Sequence, residues 1–530
     1  MADSPDLIFV SATVVDGTGA PARKADVAVK GDTIVGIGAV DRDHAGRVVD
    51  ASGLMLAPGF IDMHTHSDRT LLIDPSAQSK VRQGVTTELI GNCGNSPAPC
   101  IGPVADEETA RLGRYGLQPS WRTMGEYLDA LADSGVGINV VALVGHGTVR
   151  KAVMGYAMRA PDAGELAAMR RHVAESLDGG AIGLSTGLIY PPGCYAETEE
   201  IVELSKEVGA ARKIYATHMR NEGVRLLDSV QEAIRIGRES GASVEISHHK
   251  AATRHAWGLV NDSLELIEAA NAEGLAVDFD QYPYRASSTG LGALLPPWAH
   301  EGGVPALTAR LRDPAERSRL LDELRSDQAA GFRRGMDWDE ILIADCRGDR
   351  SLDGKTIAQI AAERNADPAE TVVDVLLASD CEVGAIFFSI SEDDVKTVMR
   401  HPLMMVGSDS RSLVIGGKTQ EGKPHPRTYG TFVRILGQYV REEGVLSWDE
   451  AIRKMSGRPA AKLGLADRGT IEVGKRADLV LFDPATVRER ATFEDPHQYP
   501  EGVRMVVVNG RVAVDGSEHT GALAGRVLRT

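Results

Sequence analysis

From residue 54 onward, short apolar runs typical of strands alternate with amphipathic stretches typical of helices. This alternation indicates βα units around a parallel sheet, and eight such units predict an α/β fold, a closed TIM-like (β/α)8 barrel. The predicted strands cover residues 54–66, 85–92, 138–146, 181–187, 213–219, 243–249, 275–282 and 403–409, and the clearest helices cover 163–178, 197–211, 222–240 and 259–273. The interval 296–402 is too long for one helix, so an inserted helical segment is predicted at about 300–400, before the last barrel strand.

The two ends of the chain differ from this pattern and resemble each other. Both contain β-branched runs separated by tight turns, at 7–10, 12–15, 26–30 and 33–37 and again at 469–473, 477–482 and 505–510. The simplest prediction is that both termini together form one small β-sandwich. The expected domains are therefore 1–53 (sandwich), 54–465 (barrel with its insertion) and 466–530 (sandwich).

Charge and composition restrict the partners of the chain. A formal net charge of −17 argues against nucleic acid or an anionic membrane, because both require a basic face. No transmembrane helix is predicted, since no sufficiently long apolar run is present. No signal peptide is predicted, since the N-terminus is acidic and lacks a basic segment followed by an apolar core. The five cysteines lack CxxC spacing, which favours reduced thiols in the cytoplasm. The oligomeric state stays open.

The end of the first predicted strand carries two histidines, His64 and His66, spaced i, i+2. In a strand these positions point to the same face, so both imidazoles can reach one point. That is the geometry needed to share a metal ion. Because H-x-H alone is a weak signal, the prediction depends on further ligands elsewhere in the chain.

Further metal-ligating residue types follow other predicted strands, at the end of the barrel where such folds place their chemistry. Cys93 stands between glycines after the second strand, His218 ends the fifth, His248 and His249 end the sixth, and Asp409 ends the eighth. Only one of His248 and His249 can face the barrel axis, because neighbours in a strand point to opposite faces. Together with the H-x-H pair, these residues predict a metal site.

These motifs and their order resemble the amidohydrolase superfamily, and more closely its N-acyl-D-amino-acid deacylase (D-aminoacylase) family. The matching stretches are PGFIDMHTH at 58–66, GVTT at 84–87, GNCG at 91–94, GLSTGL at 183–188, YPP at 190–192, HMRNEG at 218–223, ISHHK at 246–250, YPY at 282–284, GSD at 407–409 and HPR at 425–427. The resemblance covers nearly the whole chain apart from about 300–400. The fourth strand lacks the carboxylated lysine that most binuclear amidohydrolases acting on cyclic amides use to bridge their metals. A thiolate from the second strand can stand in for it.

The resemblance implies a zinc-dependent enzyme that hydrolyses the linear amide of small N-acyl-D-amino acids. It implies that the tighter zinc is held by Cys93, His218 and His248, and that a second, weaker site is formed by His64, His66 and Asp409. Asp409 is also the implied catalytic acid and base. The residues implied to bind the substrate carboxylate are Lys250, Tyr282 and Ser288.

Other functions remain as alternatives. One is a cyclic-amide hydrolase of the hydantoinase or dihydroorotase type, which the missing lysine disfavours, and another is a hydrolase of N-acyl-D-peptides or D-dipeptides. A barrel without catalysis that serves as a scaffold is disfavoured because every expected ligand is present. Arg285 departs from the family pattern and leaves the side-chain preference open, and His146 is expected only to form part of the pocket wall.

Overall fold

The computed structural model describes residues 4–41, 45–326, 335–420 and 422–529. Within these ranges the strands are β1 (Leu7–Val14), β2 (Arg23–Lys30), β3 (Thr33–Gly38), β4 (Arg47–Asp50), β5 (Met55–Pro58), β6 (Phe60–Asp62), β7 (Val85–Ile90), β8 (Asn139–Ala142), β9 (Val144–Gly145), β10 (Gly183–Gly187), β11 (Ile214–His218), β12 (Ser243–Ile246), β13 (Val277–Gln281), β14 (Ser287–Gly290), β15 (Ile341–Cys346), β16 (Val383–Phe387), β17 (Met404–Val406), β18 (Leu479–Phe482), β19 (Val503–Val508), β20 (Arg511–Asp515) and β21 (Glu518–His519).

The α-helices of the same ranges are α1 (Thr70–Ile73), α2 (Gln78–Val81), α3 (Pro103–Gly113), α4 (Met124–Ser134), α5 (His146–Met154), α6 (Ala163–Asp178), α7 (Thr198–Ala210), α8 (Leu226–Ser240), α9 (Leu259–Ala272), α10 (Gly303–Arg312), α11 (Pro314–Arg325), α12 (Ile357–Arg364), α13 (Pro368–Ala378), α14 (Glu392–Arg400), α15 (Arg427–Arg434), α16 (Trp448–Met455) and α17 (Gly457–Lys462). A π-helical stretch, Ile435–Glu442, continues α15. None of these described helices combines the length and apolar character that a membrane span requires.

The predicted barrel is present. Parallel strands run in the order β6-β7-β8 and β9-β10-β11-β12-β13-β17, and β8 and β9 are consecutive parts of one barrel strand. The amide of Ile182, just before β10, donates to the carbonyl of Ala142 in β8, which joins the two groups. The amide of Met63 donates to the carbonyl of Val406, which closes the ring between the first and last strands. Each of the eight predicted strands contains a described barrel strand.

The first predicted strand, 54–66, divides at Gly59 between two sheets. β5 pairs with β1 and β18 of the terminal sheet, whereas β6 enters the barrel beside β7. A Cβ atom at Gly59 would collide with the side chain of Thr86, so only glycine allows the two sheets to approach this closely. This junction carries the chain directly from the terminal sheet to His64 and His66.

The barrel interior is filled by side chains and is not a channel. An apolar cluster joins β6, β7, β8, β11 and β17 across the barrel axis to α17, and its strand members are Ile61, Met63, Leu89, Val141, Ile214, Ala216 and Met405. Such packing is the usual interior of a (β/α)8 barrel and gives the strand ends a rigid support. Polar side chains that leave the C-terminal strand ends are therefore held over this core.

The two ends of the chain pair into one β-domain. Among the described residues, its strands form a nine-stranded sheet in which N-terminal β5 pairs with C-terminal β18. Side chains from β1 and β2 share one apolar cluster with side chains from β18 and β19. The predicted strand at 469–473 is wrong: Ile471 is buried in that cluster, but the segment forms turns, and Gly469 and Gly474 both have positive φ. The domain boundaries drawn from the sequence stay predictions.

The interval before the last barrel strand contains more than the predicted helices. Strands β14, β16 and β15 form an antiparallel sheet, and helices α10–α13 accompany them. This insertion has its own apolar core, with Leu307, Ile343, Val372 and Phe387 among its members. The insertion therefore presents a rigid wall beside the open end of the barrel.

Candidate metal centre

The thiol of Cys93 lies at the centre of three imidazoles. Its Sγ is 3.2 Å from Nε2 of His64, 3.6 Å from Nδ1 of His218 and 3.5 Å from Nε2 of His248. Tetrahedral zinc with one sulfur and several nitrogen ligands separates its sulfur and nitrogen donors by about 3.5 Å. The donor set and its spacing therefore fit zinc, and the predicted residues Cys93, His218 and His248 are brought together.

Local backbone geometry aims these side chains. Cys93 and His248 both have positive φ, 51° and 38°, immediately after their strands end. Of the adjacent histidines, His248 lies beside Cys93, whereas His249 points away and its Nε2 lies 2.9 Å from Oγ of Ser263. Strand alternation alone could not distinguish these two residues.

A second set of donors adjoins the first. Oδ1 of Asp409 lies 3.0 Å from Nε2 of His66 and 3.7 Å from Nε2 of His64. The structure thus brings together His64, His66 and Asp409, the residues expected at the weaker site. His64 stands between the two sets, because its Nε2 also contacts Cys93.

The charges of the two sets favour metal binding. Burial alone would raise the pKa of the Cys93 thiol, but the neighbouring imidazoles, His64 first, outweigh burial and lower this pKa well below its usual range. Burial also opposes ionisation of Asp409, yet Arg427 and His66 hold its pKa well below the usual range. A thiolate and a carboxylate are the forms that bind a cation.

Sequence reasoning missed the carboxylates that support the histidines from behind. Oε1 of Glu222 lies 3.0 Å from Nδ1 of His248, and its Oε2 lies 3.7 Å from Nε2 of His218. Oδ2 of Asp280 lies 3.2 Å from Nδ1 of His64. Each outer nitrogen thus faces a carboxylate, the arrangement that fixes the tautomer of a metal-binding imidazole. A Glu four residues after a histidine was a usable signal for Glu222, whereas nothing local marked Asp280.

A buried lysine holds the two residues on either side of Asp409. Nζ of Lys80 donates to Oδ2 of Asp62 at 3.0 Å, to Oγ of Ser408 at 2.6 Å and to Oγ of Ser410 at 2.8 Å. Both neighbours of Asp409 are therefore tied to the strand that carries the H-x-H pair. Asp409 itself has a φ of 49°, a strained conformation for a non-glycine residue. Sequence reasoning assigned no role to Lys80.

The residues expected to bind a substrate carboxylate occupy different environments. Ser288 lines the cavity, and its hydroxyl donates to the carbonyl of Ala385. The hydroxyl of Tyr282 is buried without a partner among the described residues. The ammonium of Lys250 is buried, 2.6 Å from Glu222 and 2.9 Å from the carbonyl of His248, and Lys250 is not part of the cavity lining.

Arg427 connects these positions and was missed as a functional residue, although its HPR motif was noticed. Its Nη1 lies 3.0 Å from Oδ2 of Asp409, its Nη2 donates to the carbonyl of Ser288 at 3.2 Å, and its guanidinium lies 4.7 Å from the ring centre of Tyr282. It is buried yet lines the cavity. The arrangement can hold an anion next to the metal ligands.

A cavity of about 640 Å³ opens over the donor sets. Cys93, His66 and Asp409 line it together with residues of the loops after the first strands and of the insertion. Tyr190 also lines the cavity, and the hydroxyl of Tyr190 lies 2.9 Å from Oγ1 of Thr289. Arg285 is exposed outside this lining. His146 is buried against Glu200, with 2.8 Å between Nε2 and Oε1, and does not line the cavity.

Comparison with known proteins agrees with this geometry. A model of the amidohydrolase family matches residues 47–514. The D-aminoacylase of Alcaligenes xylosoxydans xylosoxydans is 39% identical over 523 residues, which cover 99% of this chain and 97% of that protein.

Solved structures extend the likeness to the fold. A D-aminoacylase studied for its binuclear metal centre, with one-metal activation and second-metal attenuation, has a TM-score of 0.83 at 38% identity and covers 99% of this chain and 100% of its own. The N-acyl-D-glutamate deacylase of Bordetella bronchiseptica, complexed with zinc and a phosphonate mimic of the tetrahedral intermediate, has a TM-score of 0.83 at 34% identity over 100% of both chains. The resemblance inferred from the motifs is confirmed: this chain belongs to the amidohydrolase family, within its group of D-aminoacylases and N-acyl-D-amino-acid deacylases.

Proposed function

We propose that this protein is a zinc-dependent hydrolase that splits the amide of N-acyl-D-amino acids into a carboxylate and a free D-amino acid. The observation that carries the proposal is the thiol of Cys93 among three imidazoles, 3.2–3.6 Å from each, beside the carboxylate of Asp409 in one open cavity. The preference for D-substrates is supported by the named activities of the relatives.

We assign the tighter zinc to Cys93, His218 and His248, and the weaker site to His64, His66 and Asp409. When bound, zinc supplies Lewis acidity, which makes water more acidic and polarises the amide carbonyl. Asp409 is ionised and therefore able to accept a proton from the attacking water and return it to the leaving amine.

We assign the substrate carboxylate to Ser288 and Arg427, which line the cavity, and to Tyr282, whose buried ring lies directly behind the lining under the guanidinium of Arg427. Arg427 contacts Asp409 and lies over the Tyr282 ring, so an anion bound there is held next to the catalytic carboxylate. Lys250 joins this pocket only by leaving Glu222, since its ammonium is buried against that carboxylate. A fixed carboxylate and a fixed amide leave one direction for the side chain, which is the basis for handedness.

Hydrolysis of cyclic amides is the weaker candidate. Strand β10, Gly183–Gly187, contains no lysine, so the bridging group typical of those enzymes is absent from that strand. A cytoplasmic location is part of this proposal and rests on the thiols, since the five cysteines are all free.

The test is amine release from paired D and L forms of N-acetyl amino acids, with added zinc and with chelator. Hydrolysis of D-forms that chelation abolishes and zinc restores is the expected result. Equal rates for D and L forms would overturn the stereochemical assignment. If no member were hydrolysed by zinc-loaded protein, the proposal would give way to cyclic amides or N-acyl-D-peptides.

A further inference from the structure

Three cations line the part of the cavity beyond Cys93. Arg69 follows the first barrel strand, Arg111 lies on α3 after the second, and Lys151 lies on α5 after the third. Arg69 connects this group to the segment of Cys93, because its Nη2 donates to Oδ1 of Asn95, two residues after Cys93, at 3.0 Å. In a chain with a net charge of −17, such a local concentration of positive charge indicates a site for a negatively charged group.

The carboxylates that hold these cations do not line the cavity. Nε of Arg69 lies 2.7 Å from Glu108, and Nζ of Lys151 lies 2.7 Å from Glu107. Neither Glu107 nor Glu108 belongs to the cavity lining. The three cations therefore contribute to the cavity wall, whereas the two carboxylates that pair with them do not.

Arg111 is the least neutralised of the three. Its nearest carboxylate oxygens, on Glu107 and Glu108, are both 3.4 Å away and are already engaged by Lys151 and Arg69. Among the described residues, three cations thus share two carboxylates within ion-pair distance. Burial first, and then the charge of Arg69, lower the pKa of Arg111, as expected for a cation short of counter-charge.

Other charged groups near the cavity do not supply the missing anion. On the insertion side, Glu382 lines the cavity and is close enough for its charge to interact with Arg111, but it is already paired with Arg114 at 2.6 Å and lies 3.7 Å from Arg347. Asp68 also lines the cavity, and the charge of Arg69 acts on it, but burial has the larger effect and raises the pKa of the Asp68 carboxyl, and no ion pair within 4 Å joins it to the three cations. The place facing Arg111 is therefore suited to an anion from outside the chain.

The position of the cluster says which end of a substrate reaches it. Lys151 follows the third barrel strand and Tyr282 the seventh, which are opposite each other in an eight-stranded ring. With the α-carboxylate held by Tyr282 and Arg427, and the amide at the metal centre between them, the acyl group extends towards Lys151 and Arg111.

We infer that the cluster of Arg69, Arg111 and Lys151 is an anion subsite, and that the preferred substrates carry a second carboxylate on their acyl group, as in an N-succinyl-D-amino acid. The inference rests on the proposed function, because it assumes that the amide lies over the metal ligands. It goes beyond the family assignment, since the relatives named above differ in their named substrates.

The test compares the activity of the zinc-loaded enzyme on N-succinyl-D-leucine and on N-succinamoyl-D-leucine, in which a neutral amide replaces the carboxylate of the acyl group. A partly exposed ion pair contributes about 1 kcal/mol, so kcat/KM for the charged acyl group is expected to be about fivefold higher, with the preference falling as salt is added. In Arg111→Gln the ratio of the two values is expected to fall to near one. Lys151→Gln provides a second variant with the same expectation.

The control variant is Arg235→Gln, on the remote helix α8, because the side chains of Arg235 and Arg111 are similarly exposed, 44% and 39%. It is expected to leave the ratio unchanged. A ratio near one in the wild type, or a preference that persists in both cluster variants, would overturn the inference.

A second substrate pair, N-acetyl-D-glutamate and N-acetyl-D-glutamine, distinguishes the source of the carboxylate. An Arg111-dependent preference in this pair alone would overturn the acyl assignment in favour of the side chain. If none of the four compounds were hydrolysed, the proposed function would fail separately. Calorimetric binding of N-succinyl-D-leucine to zinc-loaded wild type and Arg111→Gln would then decide: tighter binding by the wild type supports the subsite, and equal binding refutes it.

Discussion

Replacing Glu222 with Gln is expected to weaken zinc binding strongly. The buried carboxylate faces the outer nitrogens of His248 and His218, at 3.0 Å and 3.7 Å, and lies 2.6 Å from the ammonium of Lys250. Burial alone would raise the pKa of Glu222, but Lys250 and the two imidazoles lower it, so the group is charged at neutral pH. Gln preserves the shape of the Glu222 side chain and one acceptor oxygen, but it removes the charge that orients both imidazoles.

The size of the effect follows from the number of ligands involved. Removing one carboxylate behind a metal-binding histidine typically costs about 10–100-fold in metal affinity. Because Glu222 supports two of the three predicted ligands of the tighter zinc, the upper end applies, about 100-fold or about 2.7 kcal/mol. Zinc dissociation constants from competition with a chromophoric chelator at fixed pH measure this change directly.

Glu200→Gln is a matched control. Glu200 is also buried, and its Oε1 lies 2.8 Å from the imidazole of His146, which is not part of either donor set. This variant loses an equivalent carboxylate–imidazole contact but is expected to bind zinc as the wild type does. A folded Glu222→Gln protein whose zinc affinity stayed within threefold of the wild type would refute the argument.

Four other changes test the site and its support. Cys93→Ala is expected to lower bound zinc, as measured by metal analysis; unchanged zinc would remove Cys93 from the ligand set. Asp409→Asn is expected to reduce kcat by about 10²–10⁴-fold while zinc in the tighter site is retained, and loss of that zinc would make Asp409 structural. Lys80→Met removes one partner of the buried Lys80–Asp62 pair, so chemical denaturation is expected to show a loss of about 3–5 kcal/mol, and a loss below about 1 kcal/mol would contradict this. Burial raises the pKa of Glu88 from 4.5 to about 7, so the folded protein binds this proton more tightly than the unfolded chain, and its unfolding free energy falls as pH rises across that window. Glu88→Gln removes this fall, worth up to about 3 kcal/mol, and denaturation curves with the same pH dependence in both proteins would be inconsistent with it.

The barrel could be predicted because its strands are buried on both faces. A run such as 138–146 is nearly continuous in apolar residues, and that pattern is local. Strand β14, Ser287–Gly290, has no such pattern, since it is short, polar and only partly buried. At 469–473 the β-branched residues suggested a strand, but glycines with positive φ on both sides place the segment in turns.

The candidate site also has a part that the sequence predicts and a part that it does not. Ligand types at strand ends are visible in the chain because the fold brings strand ends together. The supporting contacts join distant residues without a shared motif, as Lys80 joins Ser408 and Asp280 joins His64. Arg427 stood within a recognised motif, yet its role required its position relative to Asp409 and Tyr282.

The pairing of β5 with β18 has a consequence for how the protein is made. Pro58 of β5 pairs with Leu479 of β18, and the barrel closes only when the amide of Met63 bonds to the carbonyl of Val406. At about 5–20 residues per second, a ribosome needs about 20–80 s to synthesise the chain between β5 and its partner. β1 to β5 can pair among themselves, but throughout that time the edge of β5 that will pair with β18 stays open, and such exposed edges aggregate. We therefore expect expression temperature and chaperone supply, more than the stability of the finished enzyme, to govern the yield of folded protein.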